Sequence, residues 1–139
     1  MKRKKLIFMI SSVLLLTTIV CLFIYYKPHR SVKNADASFS LTVTELVNAF
    51  TENETKANAM YLDKILEVKG TVNEIILSDS SLVLLLGDTT LHTGISCYLL
   101  KDQKDLYRTL KKGDTLSVKG ICNGMLFDVV LDKCILPGV

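Results

Sequence analysis

The pattern Leu-x-Val-Lys-Gly occurs twice, as Leu66-Glu67-Val68-Lys69-Gly70 and as Leu116-Ser117-Val118-Lys119-Gly120. In each copy apolar and polar residues alternate, the period of a strand with one buried face. Each copy ends on a glycine, which weakens a flat strand and marks a bulge or a tight bend. Two strands kinked at matching positions predict a sheet that curls shut.

The other elements follow from period and punctuation. Thr42-Val43-Thr44-Glu45 reads as a capping box, and Val43, Leu46, Val47 and Phe50 form one apolar stripe, so a helix opens near Thr42 and runs to Met60 or Tyr61. From Ile65 the period changes to two, and Ile75-Ile76-Leu77 extends this first long strand to a turn at residues 78–81. Leu82 to Leu86 is a continuously apolar second strand, and Ile95, Cys97 and Leu99 mark a third. A short helix is expected over Asp102 to Leu110, stopped by Lys111-Lys112-Gly113-Asp114. Leu116, Val118, Gly120 and Cys122 point inward on a fourth strand. Asn123-Gly124 is a hairpin turn signal, and Phe127 to Ile135 is the fifth strand.

The order is helix, then β-β-β-α-β-β. It predicts a mostly β protein of the OB-fold, a five-stranded, partly open Greek-key barrel with an N-terminal helix. Here the chain resembles the tRNA-anticodon-binding-like (tRNA_anti-like) OB-fold family of small bacterial domains. The resemblance is carried by Asn53-Glu54, Ala57, Tyr61, Lys64, Val68, Gly70 and Val72, then by Cys97-Tyr98 and Leu110-Lys111-Lys112-Gly113-Asp114. It continues through Val118, Gly120, Cys122, Gly124, Val129, Leu131 and Cys134. Leu62-Asp63 departs from the Lys/Gly-type turn more common before that lysine. The resemblance implies the fold, and it implies little about function because the family name itself rests on fold similarity.

Ahead of the domain lies a basic leader. The first 33 residues hold seven Lys/Arg and no acid, whereas residues 34–139 hold ten Lys/Arg against fourteen Asp/Glu. The overall +3 is thus +7 in the leader and −4 in the domain, so the basic balance describes no nucleic-acid face. Residues 1–5 read as a cytoplasmic stub and the uncharged run 6–26 as a transmembrane anchor, long enough for a bilayer core of about 30 Å. Residues 27–40 read as linker and 41–139 as the domain. Lys27, Arg30 and Lys33 are expected at lipid headgroups. Cleavage at Ala35-Asp36-Ala37 and lipidation at Cys21 are the alternatives. Flanking charges favour a single-pass protein of the bacterial cell membrane, N-terminus cytoplasmic and domain outside.

For function, the domain's one histidine is too few for a metal site or a nucleophile–base pair. His29 lies beside the membrane run and His92 in a polar loop, so no enzyme, cofactor or metal is expected. The expected role is a non-catalytic binding module at the cell envelope, using the second and third strands and the loops after Leu77 and Gly87. Its ligand would be a protein, peptide or saccharide, and oligomeric state stays open. Single-stranded nucleic acid is the disfavoured alternative, with Tyr98 to stack bases and Lys69, Lys101 and Lys119 to meet phosphates. In the domain, Cys97, Cys122 and Cys134 make an odd set. A simple hairpin about Asn123-Gly124 would part Cys122 from Cys134 by about 23 Å at about 3.3 Å per residue. The fifth strand borders the third in an OB barrel, so of the three possible pairings Cys97–Cys134 is the preferred disulfide, with buried reduced thiols as the alternative.

Overall fold

The structure, a computed structural model, describes residues 2–25, 31–79, 81–87 and 93–137; side chains are described for these except at residues 2–8, 24, 104 and 107. The chain forms two compact units that divide between Arg30 and Ser31.

The first unit is one helix, α1 (Lys2–Tyr25). Its large apolar residues are exposed on every side, from Met9 and Leu14 to Phe23. Its threonines are satisfied internally: the Thr17 and Thr18 hydroxyls donate to Val13 O and Leu14 O at 2.8 and 2.7 Å. Among the described residues no helix is long and apolar enough to cross a membrane, the side chains of α1 being described over residues 9–23 and at 25.

The second unit is a barrel. In chain order it holds β1 (Phe39–Thr42), α2 (Val43–Glu52), α3 (Glu54–Tyr61), β2 (Ile65–Leu77), β3 (Leu82–Gly87) and β4 (Ile95–Leu99). A 3-10 helix (Lys101–Arg108), β5 (Thr115–Met125) and β6 (Val129–Ile135) complete it. The sheet runs β1-β2-β3-β4-β6-β5, and β2 pairs again with β5, which closes five strands on themselves. Closure leaves no bare edge among those five.

The two Leu-x-Val-Lys-Gly segments pair with each other. They run antiparallel in register from Leu66↔Gly120 to Gly70↔Leu116, so each leucine faces the other copy's glycine. Past Gly70 the strand turns to a new partner, pairing with β3 from Thr71↔Gly87 to Leu77↔Leu82. Gly70 has to be glycine, because a Cβ there would overlap Val43 Cγ2 of α2. The kink therefore lets a helix sit against the bend.

That helix begins as the capping box requires. The Thr42 hydroxyl accepts the Glu45 N–H, and the Glu45 carboxylate accepts the Thr42 N–H at 2.7 Å. Val43, Leu46, Val47 and Phe50 are all buried on the barrel. With the inward residues of the strands, including Leu66, Leu84, Ile95 and Leu131, they form one core.

Several expected boundaries differ. The single helix is two, because Asn53 is extended at φ −158° and its Oδ1 caps α3 by accepting the Lys56 N–H at 2.9 Å. A short polar side chain outcompetes continuation of the helix there. The break lets α3 bury Ala57 and Tyr61, and Tyr61 meets Phe39 edge-on with centroids 5.2 Å apart. The short helix over 102–110 is a 3-10 helix that opens with Gln103 N–H donating to Leu100 O at 2.9 Å.

Asn123-Gly124 is not the hairpin turn. β5 runs through it to Met125, which pairs with Val129, and the turn is Leu126-Phe127-Asp128. Gly124, at φ +91°, forms a bulge instead, and a Cβ on it would stand 3.3 Å from Asn58 Oδ1 and 3.5 Å from Leu62 Cδ1 of the α3 segment. The positive φ of the bulge, not a chain reversal, sets the glycine. Asp63 takes φ 60°, a left-handed turn supplied by aspartate at the Leu62-Asp63 departure.

The expected linker also ends early. From Ser31 the chain belongs to the barrel unit. Val32 is buried with Ile65 and Ile135, the Lys119 ammonium donates to Ala35 O at 3.0 Å, and β1 pairs in parallel with β2. Lys33 pairs with Asp102, and that hydrogen bond holds the Asp102 carboxyl below its ordinary range. Lys27 and Arg30 lie outside the described residues.

Candidate ligand-binding face

The outer side of β2, β3 and β4 carries two parallel rows. Ile76 faces Val83, which faces Tyr98. One step along, Glu74 faces Leu85, Leu85 faces Ser96, and Ser96 faces Val130 of β6. Strand parity puts them outside: Leu84, Ile95, Cys97 and Leu99 fill the interior, so their neighbours must point to solvent. Ile76 is 44% exposed and Tyr98 43%.

At one end of this face stands the β5–β6 turn. Leu126 is 86% and Phe127 93% exposed. The turn is fastened to β4 through Asp128, whose carboxylate accepts the Gly94 N–H at 2.9 Å and the Ser96 hydroxyl at 3.3 Å. The Val129 N–H donates to Gly94 O at 3.1 Å. Two aromatic side chains are thus shown to solvent around one sheet face. Exposed apolar side chains at both ends of one sheet face mark it as a candidate contact site.

The lysines expected beside Tyr98 are not gathered there. Lys69 faces Ser117 of β5 and Thr42 of β1, on the other flank of the barrel, where it lines a cleft of about 360 Å³ with Thr44, Thr71 and Asn73. Lys119 faces Glu67 on that same flank and is occupied with Ala35 O. Lys101 begins the 3-10 helix beyond the end of β4. Between Lys69 and Lys101 the sequence holds no Lys or Arg at all. That gap was readable and is the signal that sequence reasoning missed. Phe127 was missed because the misplaced turn put it inside a strand. His92 and the loop after Gly87 lie outside the described residues.

Behind the face, Cys97, Cys122 and Cys134 are buried, free thiols. Cys134 follows a bulge in which Lys133 takes φ 52°, and it pairs across from Leu99. Burial pushes its thiol well up, and a hydrogen bond to Cys97 adds to the rise. The preferred cysteine pair is thus in contact, with both sulfurs free. Cys122 is raised by burial as well, and it sits across Leu131 from Cys97 rather than near Phe127. Among the described residues, no three metal-ligating side chains converge.

The fold has relatives. A crystal structure of a candidate nucleic acid-binding lipoprotein from Klebsiella pneumoniae is similar at a TM-score of 0.60 and 16% identity, covering 79% of this chain and 98% of that one. A candidate aspartyl-tRNA synthetase from Leishmania major is similar at 0.51 and 12% identity over 80% of this chain, which spans only 22% of the synthetase. No match is found among curated proteins. The tRNA_anti-like family matches residues 1–136, nearly the whole length. The chain belongs to the tRNA_anti-like family.

Proposed function

We propose that the protein is a membrane-tethered, non-catalytic OB-fold binding module that holds its ligand on the β3–β4 face. The carrying observation is the outward row Ile76–Val83–Tyr98, with the exposed Leu126–Phe127 tip at the other end of β4. Apolar and aromatic side chains left in water gain most by covering, at about 25 cal/mol per Å² removed from solvent.

The tether is read from the leader. The run 6–26 has no charge, and its 21 residues would be about 32 Å long as a helix. A helix apolar on all sides, with its threonine hydroxyls bonded to its own carbonyls, suits a lipid surrounding. The basic start favours the N-terminus in the cytoplasm and the barrel on the envelope side. A similar fold in a lipoprotein supports an envelope address.

A second reading, single-stranded nucleic acid, is favoured by the two exposed aromatics and by the family and the description of the Klebsiella relative. The face itself is tested by placing a photo-cross-linking amino acid at Tyr98, and separately at Lys69 on the other flank of the barrel, in the full-length protein in cells. A discrete adduct from position 98 and none from 69 is expected. Equal or absent capture at both positions would remove the face.

A further inference from the structure

Resting on the reading of the β3–β4 face as the binding surface, we propose that its ligand is a cationic polypeptide segment, Lys or Arg residues interspersed with apolar ones. Tyr98 and Phe127 do not choose between partners, because an aromatic ring receives a nucleobase or a cation on the same π-face. Charge does choose. The sequence from Gly70 to Leu100 supplies the outer surface of β3, β4 and the second half of β2, and it contains no Lys or Arg. Carboxylates stand there instead. Glu74 is exposed at one end of the Glu74–Leu85–Ser96–Val130 row, and Asp128 bonds Ser96 near the other. Asp132 follows two residues after Val130 on β6.

Strand binding by an OB barrel draws its affinity from cations that neutralise phosphates. A phosphate chain laid over β3, β4 and the second half of β2 would meet Glu74 and no Lys or Arg of those strands. A polypeptide with spaced cations reverses every one of those signs: its apolar side chains cover Ile76, Val83 and Tyr98 while its cations meet Glu74 and Asp128. Asp128 suits that role because its two bonds to β4 fix the carboxylate in place and leave lone pairs open.

Full-length protein in nanodiscs of neutral lipid tests the assignment by fluorescence anisotropy, with empty discs subtracted. The probes are a labelled peptide of repeating Arg-Val-Gly, its counterpart with Glu for Arg, and a labelled deoxythymidine twenty-mer. The Arg peptide is expected to bind at least about tenfold tighter than the other two, and to weaken by about tenfold in both Glu74→Lys and Tyr98→Ala. Tighter binding of the oligonucleotide, lost in Tyr98→Ala, overturns the cationic polypeptide and keeps the face. Binding of no probe, or Arg-peptide binding that Glu74→Lys leaves unchanged, also overturns it. The cross-linking from position 98, which is blind to ligand charge, then reports separately on the face.

Discussion

Gly120 lies over Cys134: a Cβ built on the glycine would stand 2.5 Å from the Cys134 sulfur, with Asp132 O at 3.2 Å and Leu131 Cβ at 3.3 Å. The second Leu-x-Val-Lys-Gly copy therefore ends in glycine because β6 passes against it. Gly120→Ala should cost roughly 1–3 kcal/mol by overpacking, read as a lower denaturant midpoint at unchanged slope. Cys134→Ala in the same chain should return part of that loss, and strict additivity of the two changes would refute the contact.

The helix α2 depends on its start. Thr42→Ala should cost about 1 kcal/mol through loss of the cap. The Glu45 carboxyl lies below its ordinary 4.5, mainly through the Thr42 backbone hydrogen bond and then its hydroxyl. A lowered carboxyl stabilises the fold above pH 4.5 and loses that support as pH falls through the folded value. Glu45→Gln should flatten this acid limb of a stability-versus-pH curve, and an unchanged limb would assign the effect elsewhere.

The barrel thiols should be silent in the folded state. Cys97, Cys122 and Cys134 are all buried, so iodoacetamide should label them only after denaturation, as mass spectrometry can show. Burial raises Cys134 and Cys122 above their ordinary 9.0. A raised thiol supports the fold below pH 9.0 and loses that support at higher pH, so the protein should weaken in alkali and Cys134→Ala should blunt the effect. Rapid labelling of any of these three cysteines in the native protein would contradict the packing.

Phe127 and Tyr98 should separate binding from stability. Phe127→Ala removes a side chain that is 93% exposed, so stability should stay within about 0.5 kcal/mol while cross-linking from position 98 falls severalfold. A large drop in melting temperature would mean that the ring packs inward.

A C-terminal fusion reports the expected orientation. Alkaline phosphatase should be active and a fluorescent protein dark; the reverse pattern would place the barrel on the cytoplasmic side.

Pairing of β2 with β5 was legible because the same five-residue pattern stands in both strands, and the alternation of Ile95, Cys97 and Leu99 already pointed Tyr98 outward. The lost boundaries share one cause: side-chain bonds and close approaches that local pattern does not carry. Asn53 breaks a helix by capping the next one. Gly124 supplies the positive φ of a bulge, not a reversal. Val32 and Ala35 look like linker until Ile65, Ile135 and Lys119 are brought beside them. The misassigned turn then hid Phe127, and with it half of the aromatic surface.

Asp128 has a consequence for recognition. By riveting the hairpin tip to Gly94 and Ser96, it holds the backbone that carries Leu126 and Phe127 where a visitor meets it. A loop already held surrenders little backbone entropy when it is covered, so each contact converts more fully into affinity. Cutting those two rivets would leave the same surface chemistry on a looser frame that grips less.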